Sequence, residues 1–133
     1  VPVKTDKEIS EEEIKSHHLL LIGRPDSNSL VGRFQFELPV SFGFRSFRVR
    51  QEAYAHPLSA VVAVGDNPSN RRFSMVVIAG LGAESTRSAA QSLLHTGMQL
   101  GNVLVLAHGS KPQTLVAPTN DLTVKLVAAE SQK

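Results

Sequence analysis

Four short apolar segments divide the chain and predict a buried sheet. They are residues 18–22 (HLLLI), 60–64 (AVVAV), 75–79 (MVVIA) and 103–107 (VLVLA). Each is rich in Val, Ile and Leu and does not alternate with polar residues, which is typical of strands buried on both faces. The pattern therefore predicts a largely parallel sheet covered by helices. The core residues that it predicts are Leu20, Ile22, Val62, Val77 and Val105.

Two helices are predicted to pack on this sheet. The first begins near Ser27 or Asn28, which are both good N-cap residues, and ends before Pro39. The second begins near Ser85 and has Gly97 as its C-cap. The residues predicted to face inward are Leu30, Val31, Phe34 and Leu38 in the first helix, and Ala89, Ala90, Leu93 and Leu94 in the second. A capping box of Ser10 and Glu13 predicts a further short helical turn.

Other segments predict more exposed strands. The sequence FRVRQEAY (47–54) alternates, with Phe47 and Val49 on one side, and QTLVAP (113–118) and LTVKLVA (122–128) are typical of edge strands. Residues 65–72 (GDNPSNRR) are shorter than a normal parallel crossover. They form either the loop of an antiparallel hairpin or a tight crossover with one helical turn.

Length and composition indicate one α/β domain with a mainly parallel or mixed central sheet and helices packed on it. Residues 1–8 are interpreted as a tail or linker and residues 9–133 as the domain. The 41% hydrophobic and 20% charged content is ordinary for a globular chain. No apolar run approaches the roughly 20 residues of a membrane span, so no membrane insertion is expected. A net charge of +2 and a chain without tryptophan argue against nucleic acid as a partner.

Polar residues at the ends of the predicted strands are the candidate ligand-binding residues. Helix N-termini hold anions, and two are predicted to follow strands here. If residues 65–72 are a crossover, the loop residues could join the first helix end in one polar cleft at a switch point of the sheet. If they are a hairpin, no such cleft exists. The candidates are Arg24, Ser27, Asn28, Asn67, Asn70, Arg72, Ser85 and Thr86.

No complete catalytic motif occurs in the sequence. There is no GxSxG elbow, and Ser110 beside His108 has no recognisable base and acid partner. The chain has no cysteine, and its histidines lack metal-ligand spacing. We therefore expect no metal, no cofactor and no enzymatic activity, and a hydrolase using Ser110 and His108 ranks last among the functions considered.

Two motifs resemble an accessory α/β domain that is found C-terminal to α/β-hydrolase modules of the prolyl oligopeptidase or esterase type. IGRPDSNSLVGR is similar to its strand–Gly–x–Pro–x–Ser–Asn–helix junction, through Gly23, Pro25, Ser27 and Asn28. GDNPSNRRFSMVVIAG is similar to its Asn-Pro-x-Asn loop. The matching residues of that loop are Asn67, Pro68, Asn70 and Arg72. The resemblance covers about residues 5–80.

The resemblance implies a function that residue patterns alone do not give. The accessory domain occurs in bacterial, often exported, proteins, and the nucleophile lies in the neighbouring hydrolase module. It implies a non-catalytic accessory or interaction domain, exported to the periplasm or outside the cell, with a hydrolase module or another protein as its partner. The alternative is a small-ligand or anion-binding domain that uses the helix N-termini.

Overall fold

The computed structural model describes residues 3–96, 102–107, 109 and 111–117. Its strands are β1 (Leu19–Ile22), β2 (Ser41–Gly43), β3 (Ser46–Val49), β4 (Glu52–Tyr54), β5 (Ala60–Asp66), β6 (Ser74–Gly80), β7 (Val103–Leu106) and β8 (Gln113–Leu115). Its helices are α1 (Glu11–Ser16), α2 (Ser29–Phe34) and α3 (Ala83–Thr96), and a 3-10 turn at Gln35–Glu37 extends α2. The predicted Gly97 cap, the Ser110–His108 pair and the strand at 122–128 lie outside the described residues.

The main sheet has five strands in the order β1-β6-β5-β7-β8. Among these described strands, only β1 and β6 are a parallel pair. β5 and β6 pair from Ala60 opposite Gly80 to Asp66 opposite Ser74, so the chain between them is a hairpin loop. The hairpin alternative for residues 65–72 is therefore correct. Because β6 and β7 both run antiparallel to β5, α3 joins two parallel strands by crossing over β5.

The predicted fold class, a mainly parallel or mixed α/β sheet with helices packed on it, is wrong. The described elements are mostly strands, eight against three α-helices, and they form the five-stranded mixed sheet and a second, three-stranded antiparallel sheet of order β2-β3-β4. The error has a physical cause. β5 and β6 lie inside the sheet with apolar groups on both faces, so their sequences match those of parallel strands although they pair antiparallel.

Apolar side chains form a core on each face of the main sheet. The larger core lies against α1, α2 and the small sheet, and its fully buried members include Ile14, Val31, Phe47, Met75 and Val77. The smaller core lies beneath α3. It contains Ala60, Val62, Ile78, Ala89 and Leu104. α3 contacts β5 and β6, so this helix covers the middle of the sheet and not its edge at β1.

The predicted core is confirmed in the inner strands and wrong in the edge strand. Val62, Val77 and Val105 are buried. Leu20 and Ile22, by contrast, are 61% and 54% exposed. Successive side chains of a strand point to opposite faces, and only the face that carries Leu19 and Leu21 meets the larger core.

Local signals predict the helix starts well. Asn28 is the N-cap of α2, and its side chain accepts from the backbone N–H groups of Leu30 and Val31. The capping box of Ser10 and Glu13 is present in α1. The four residues predicted to face inward from the first helix are buried, as is Ala89 in α3. Leu94 is exposed, so its predicted inward placement is wrong.

Candidate functional site

The candidate residues fall at two opposite ends of the main sheet. β1 and β6 are parallel, so their C-terminal ends share one edge, where the Gly23 N–H donates to the Ile78 carbonyl at 2.9 Å. Arg24, Ser27, Asn28, Ser85 and Thr86 lie at this end. Asn67, Asn70 and Arg72 lie in the β5–β6 loop at the other end. The single polar cleft that a crossover would have built is therefore not formed.

At the end of the main sheet that carries the β5–β6 loop, the side chains of Asn67 and Asn70 bind backbone groups of the α1–β1 segment. The Asn67 amide donates to the carbonyls of Ile14 and His17 at 2.7 and 3.1 Å, and its Oδ1 accepts from the Ser69 N–H. Asn70 donates to the Lys15 carbonyl at 2.9 Å and accepts from the Arg72 N–H. Asn67 is fully buried. These contacts fasten α1 and the start of β1 to the loop.

At the other end, the candidate hydroxyls at the start of α3 are engaged within the chain. Ser85 Oγ accepts from the Gly82 N–H at 2.9 Å and also contacts the Pro57 carbonyl at 3.0 Å. Thr86 Oγ1 accepts from the Gly80 N–H at 3.0 Å and donates to the Gly82 carbonyl at 2.9 Å. A Cβ on Gly80 would lie only 2.3 Å from the Thr86 nitrogen. These residues pack α3 closely against β6.

Hydrogen bonds between polar side chains and the backbone also stabilise the turn after β1. Asn28 caps α2 and also donates from Nδ2 to the Ile22 carbonyl at 3.1 Å. Ser27 Oγ accepts from the Arg24 N–H at 3.1 Å. The Asp6 carboxylate accepts from the Ser29 N–H at 2.8 Å, and this hydrogen bond lowers the pKa of Asp6. The polar atoms of the turn thus stabilise the start of α2.

An open groove of about 590 Å³ lies between this turn and the loop that joins β2 to β3. We call it the hairpin groove. Its volume is within the range of about 300–1,000 Å³ that is usual for ligand pockets. Its lining residues are Arg24, Pro25, Asp26, Gln35, Phe42, Gly43, Phe44 and Arg45.

The tip of the β2–β3 hairpin brings an exposed aromatic ring and a cation to the rim of this groove. Phe44 is 90% exposed. The Arg45 guanidinium lies over its ring, 5.4 Å from the ring centroid, which is a cation–π contact. No carboxylate among the described residues lies within ion-pairing distance of Arg45. An aromatic ring and a cation without a carboxylate partner in this part of the chain are thus available together at one rim.

Arg24 supplies the second cation of the groove, on the opposite wall. Its side chain is 20% exposed, and its ion pair with Asp26 is long, with Nη2 and Oδ2 3.7 Å apart. The lining residues therefore contribute two guanidinium groups and one carboxylate. Their net charge is positive, and the groove favours an anionic group in a ligand.

A second groove, of about 620 Å³, lies between the β3–β4 turn and β8. The guanidinium group of its one lining arginine, Arg50, is hydrogen-bonded within the chain. Arg50 donates from Nε and Nη2 to the Val116 carbonyl at 3.0 and 2.6 Å. These bonds tie the small sheet to the last described segment of the main sheet. We therefore place the candidate site at the hairpin groove.

Sequence reasoning identified Arg24 but not Phe44 or Arg45. A two-residue hairpin loop is normally recognised by Gly or Asn at the position that needs a positive φ. Here Arg45 takes that position, with φ of 51°. The alternating segment that predicts an exposed strand begins at Phe47, and the Phe44-Arg45 pair before it has no Gly or Asn that would indicate a turn.

Comparisons with known proteins identify no relative. No family model, no curated protein and no solved structure matches the chain. Within the described part of the chain, no group of three His, Asp or Glu side chains could hold a metal ion. The same residues include no helix that is long and apolar enough to cross a membrane.

Proposed function

We propose that this chain is a non-catalytic interaction module that binds an extended segment of another protein in the hairpin groove. The observation that carries the proposal is the 90% exposure of Phe44 at the groove rim. An exposed aromatic ring beside an arginine matches the composition of protein interface cores, in which aromatic residues and Arg are enriched relative to the rest of the surface.

The resemblance of residues 5–80 to hydrolase-associated accessory domains suggests what the partner is. An α/β-hydrolase module, exported together with this chain, is the partner that we propose on that ground. Asn28 and Asn67, one from each motif, bind backbone groups of the chain itself, so we assign the contact with the partner to the hairpin groove and not to these residues.

Selection of random peptides displayed on phage tests the proposal, because it needs no assumption about the sequence of the bound segment. We expect the wild-type chain to enrich a set of peptides that Phe44→Ala no longer binds. Phe36→Ala is the matched control, because Phe36 is also exposed, at 66%, and does not line the groove. Enrichment that is absent, or that is lost equally with Phe36→Ala, would contradict the proposal.

A hydrolysis screen tests the non-catalytic part. We expect no turnover of p-nitrophenyl esters or short peptide substrates by the purified chain. Turnover that a single Ser→Ala substitution abolishes would show that the chain is an enzyme.

A further inference from the structure

We infer that the hairpin groove selects a peptide in which a carboxylate side chain is adjacent to an aromatic one. The inference rests on the proposed function and adds the chemistry of the bound segment. It depends on three features of the groove: its two arginines, the guanidinium donors of Arg45 that meet no acceptor in the described chain, and the aromatic groups of the hairpin.

The two arginines face the groove from opposite walls and are poorly neutralised. Arg45 has no carboxylate partner among the described residues, and the ion pair of Arg24 with Asp26 is 3.7 Å long. A guanidinium group binds a carboxylate through parallel hydrogen bonds, which are stronger than neutral ones. An acidic side chain in the groove would therefore be attracted by the net positive charge of its lining.

A comparison of the side chains of Arg45 and Arg50 gives a second indication. Two arginines of the small sheet have left-handed backbones, Arg45 with φ of 51° and Arg50 with φ of 58°. Arg50 uses this conformation to reach the Val116 carbonyl. Arg45 makes no such hydrogen bond within the described chain, and its conformation holds the guanidinium over Phe44. The guanidinium donors of Arg45 meet no acceptor inside the described fold, so they are available to a carboxylate of a bound segment.

The aromatic half of the ligand is indicated by the groove wall. Phe42 is half-buried in the wall, and Phe44 stands at the rim with Gly43 between them. Aromatic rings pair at centroid separations of about 4.5–7 Å, edge to face or offset. A ligand ring beside Phe42 would lie next to Arg24 and Arg45. The ligand carboxylate that binds these arginines is therefore on a residue adjacent to the aromatic one.

Two synthetic peptides test this selection. They are acetyl-Ser-Glu-Phe-Ser-amide and its Gln counterpart, each titrated into ¹⁵N-labelled protein and followed by NMR. We expect the Glu peptide to shift the amide signals of the β2–β3 turn and to bind about tenfold more tightly than the Gln peptide. Arg45→Gln and Arg24→Gln should each reduce this preference. Arg48→Gln, which removes an exposed arginine of β3 that does not line the groove, should leave it unchanged.

The result distinguishes this inference from the proposed function. Equal binding of the Glu and Gln peptides, or Phe44-dependent phage peptides without acidic residues, would overturn the inference and leave the interaction module standing. If neither peptide shifts the turn and no Phe44-dependent peptides are enriched, both fail.

Discussion

Asn67 Nδ2 donates a 2.7 Å hydrogen bond to the carbonyl oxygen of Ile14, 53 residues earlier in the chain. The same amide group also donates to the His17 carbonyl, 50 residues away. One buried side chain in the β5–β6 loop thereby fixes both the end of α1 and the entry to β1. Its role is to hold two distant segments together.

Removal of Asn67 should destabilise the fold. Asn67→Ala leaves buried backbone groups without partners, and we expect a loss of about 1–3 kcal/mol in the free energy of unfolding by urea denaturation. Asn70→Ala is the control, because its bond to the Lys15 carbonyl is exposed to water. It should cost less, and an equal cost for both variants would contradict this account.

Arg45 and Arg50, the two arginines with a left-handed backbone, should respond differently to substitution by glycine. Glycine adopts a positive φ at no steric cost, so Arg45→Gly should change stability by no more than about 0.5 kcal/mol. Arg50→Gly has the same backbone but loses both bonds to the Val116 carbonyl. It should cost about 1 kcal/mol and speed amide hydrogen exchange in β8. Loss of stability in Arg45→Gly would mean that its side chain has a structural role.

Glu13 should make stability depend on acid pH. Hydrogen bonds from Lys4 Nζ at 2.6 Å and from the Ser10 N–H at 3.1 Å lower the pKa of Glu13 from 4.5 to about 2. A pKa lowered by folding stabilises the protein above the unfolded value, and this contribution is lost as the pH falls from about 4.5 to about 2. Melting curves across this range should show the loss in the wild type.

Two variants check that assignment. Glu13→Gln cannot titrate and should flatten this part of the pH dependence. Lys4→Gln should return the pKa of Glu13 towards 4.5 in a ¹³C NMR titration. An unchanged pKa in Lys4→Gln would show that Lys4 is not the main cause.

Alanine substitutions at Val77 and Leu20 distinguish the observed burial of these residues from the sequence prediction that both are in the core. Val77→Ala should cost about 2–3 kcal/mol, because it opens a cavity in a fully buried site. Leu20→Ala should stay within about 0.5 kcal/mol of the wild type, since this side chain is largely exposed. Equal losses in thermal denaturation would place Leu20 back in the core.

The fold was predictable wherever the stabilising contacts are local. Ser10 lies three residues from Glu13, and Asn28 lies within three residues of the α2 amides that it caps. In both cases the sequence shows the donor and the acceptor together. Whether a strand lies at the edge or the centre of a sheet depends on distant partners. Leu20 and Val62 occur in equally apolar segments, and only the strand order β1-β6-β5 exposes the first and buries the second.

The candidate site was less predictable than the fold, for a related reason. Asn67 and Asn28 were ligand-binding candidates, but Nδ2 of each side chain donates to backbone carbonyls that no sequence pattern places beside it. Phe44 and Arg45 were missed because the exposure of a phenylalanine depends on where its hairpin points. Arg24 was among the candidates because it lies just past the end of β1.

The parallel pairing of β1 with β6 joins two strands that the ribosome makes far apart in time. Leu19 leaves the ribosome well before Met75, the residue that it pairs with. Because synthesis proceeds at roughly 5–20 residues per second, several seconds pass between the synthesis of β1 and that of its partner strand β6. The β5–β6 hairpin, whose strands are nearly contiguous, forms without such a delay. During synthesis the apolar LLLI segment is therefore without its partner strand for longer than β5 is.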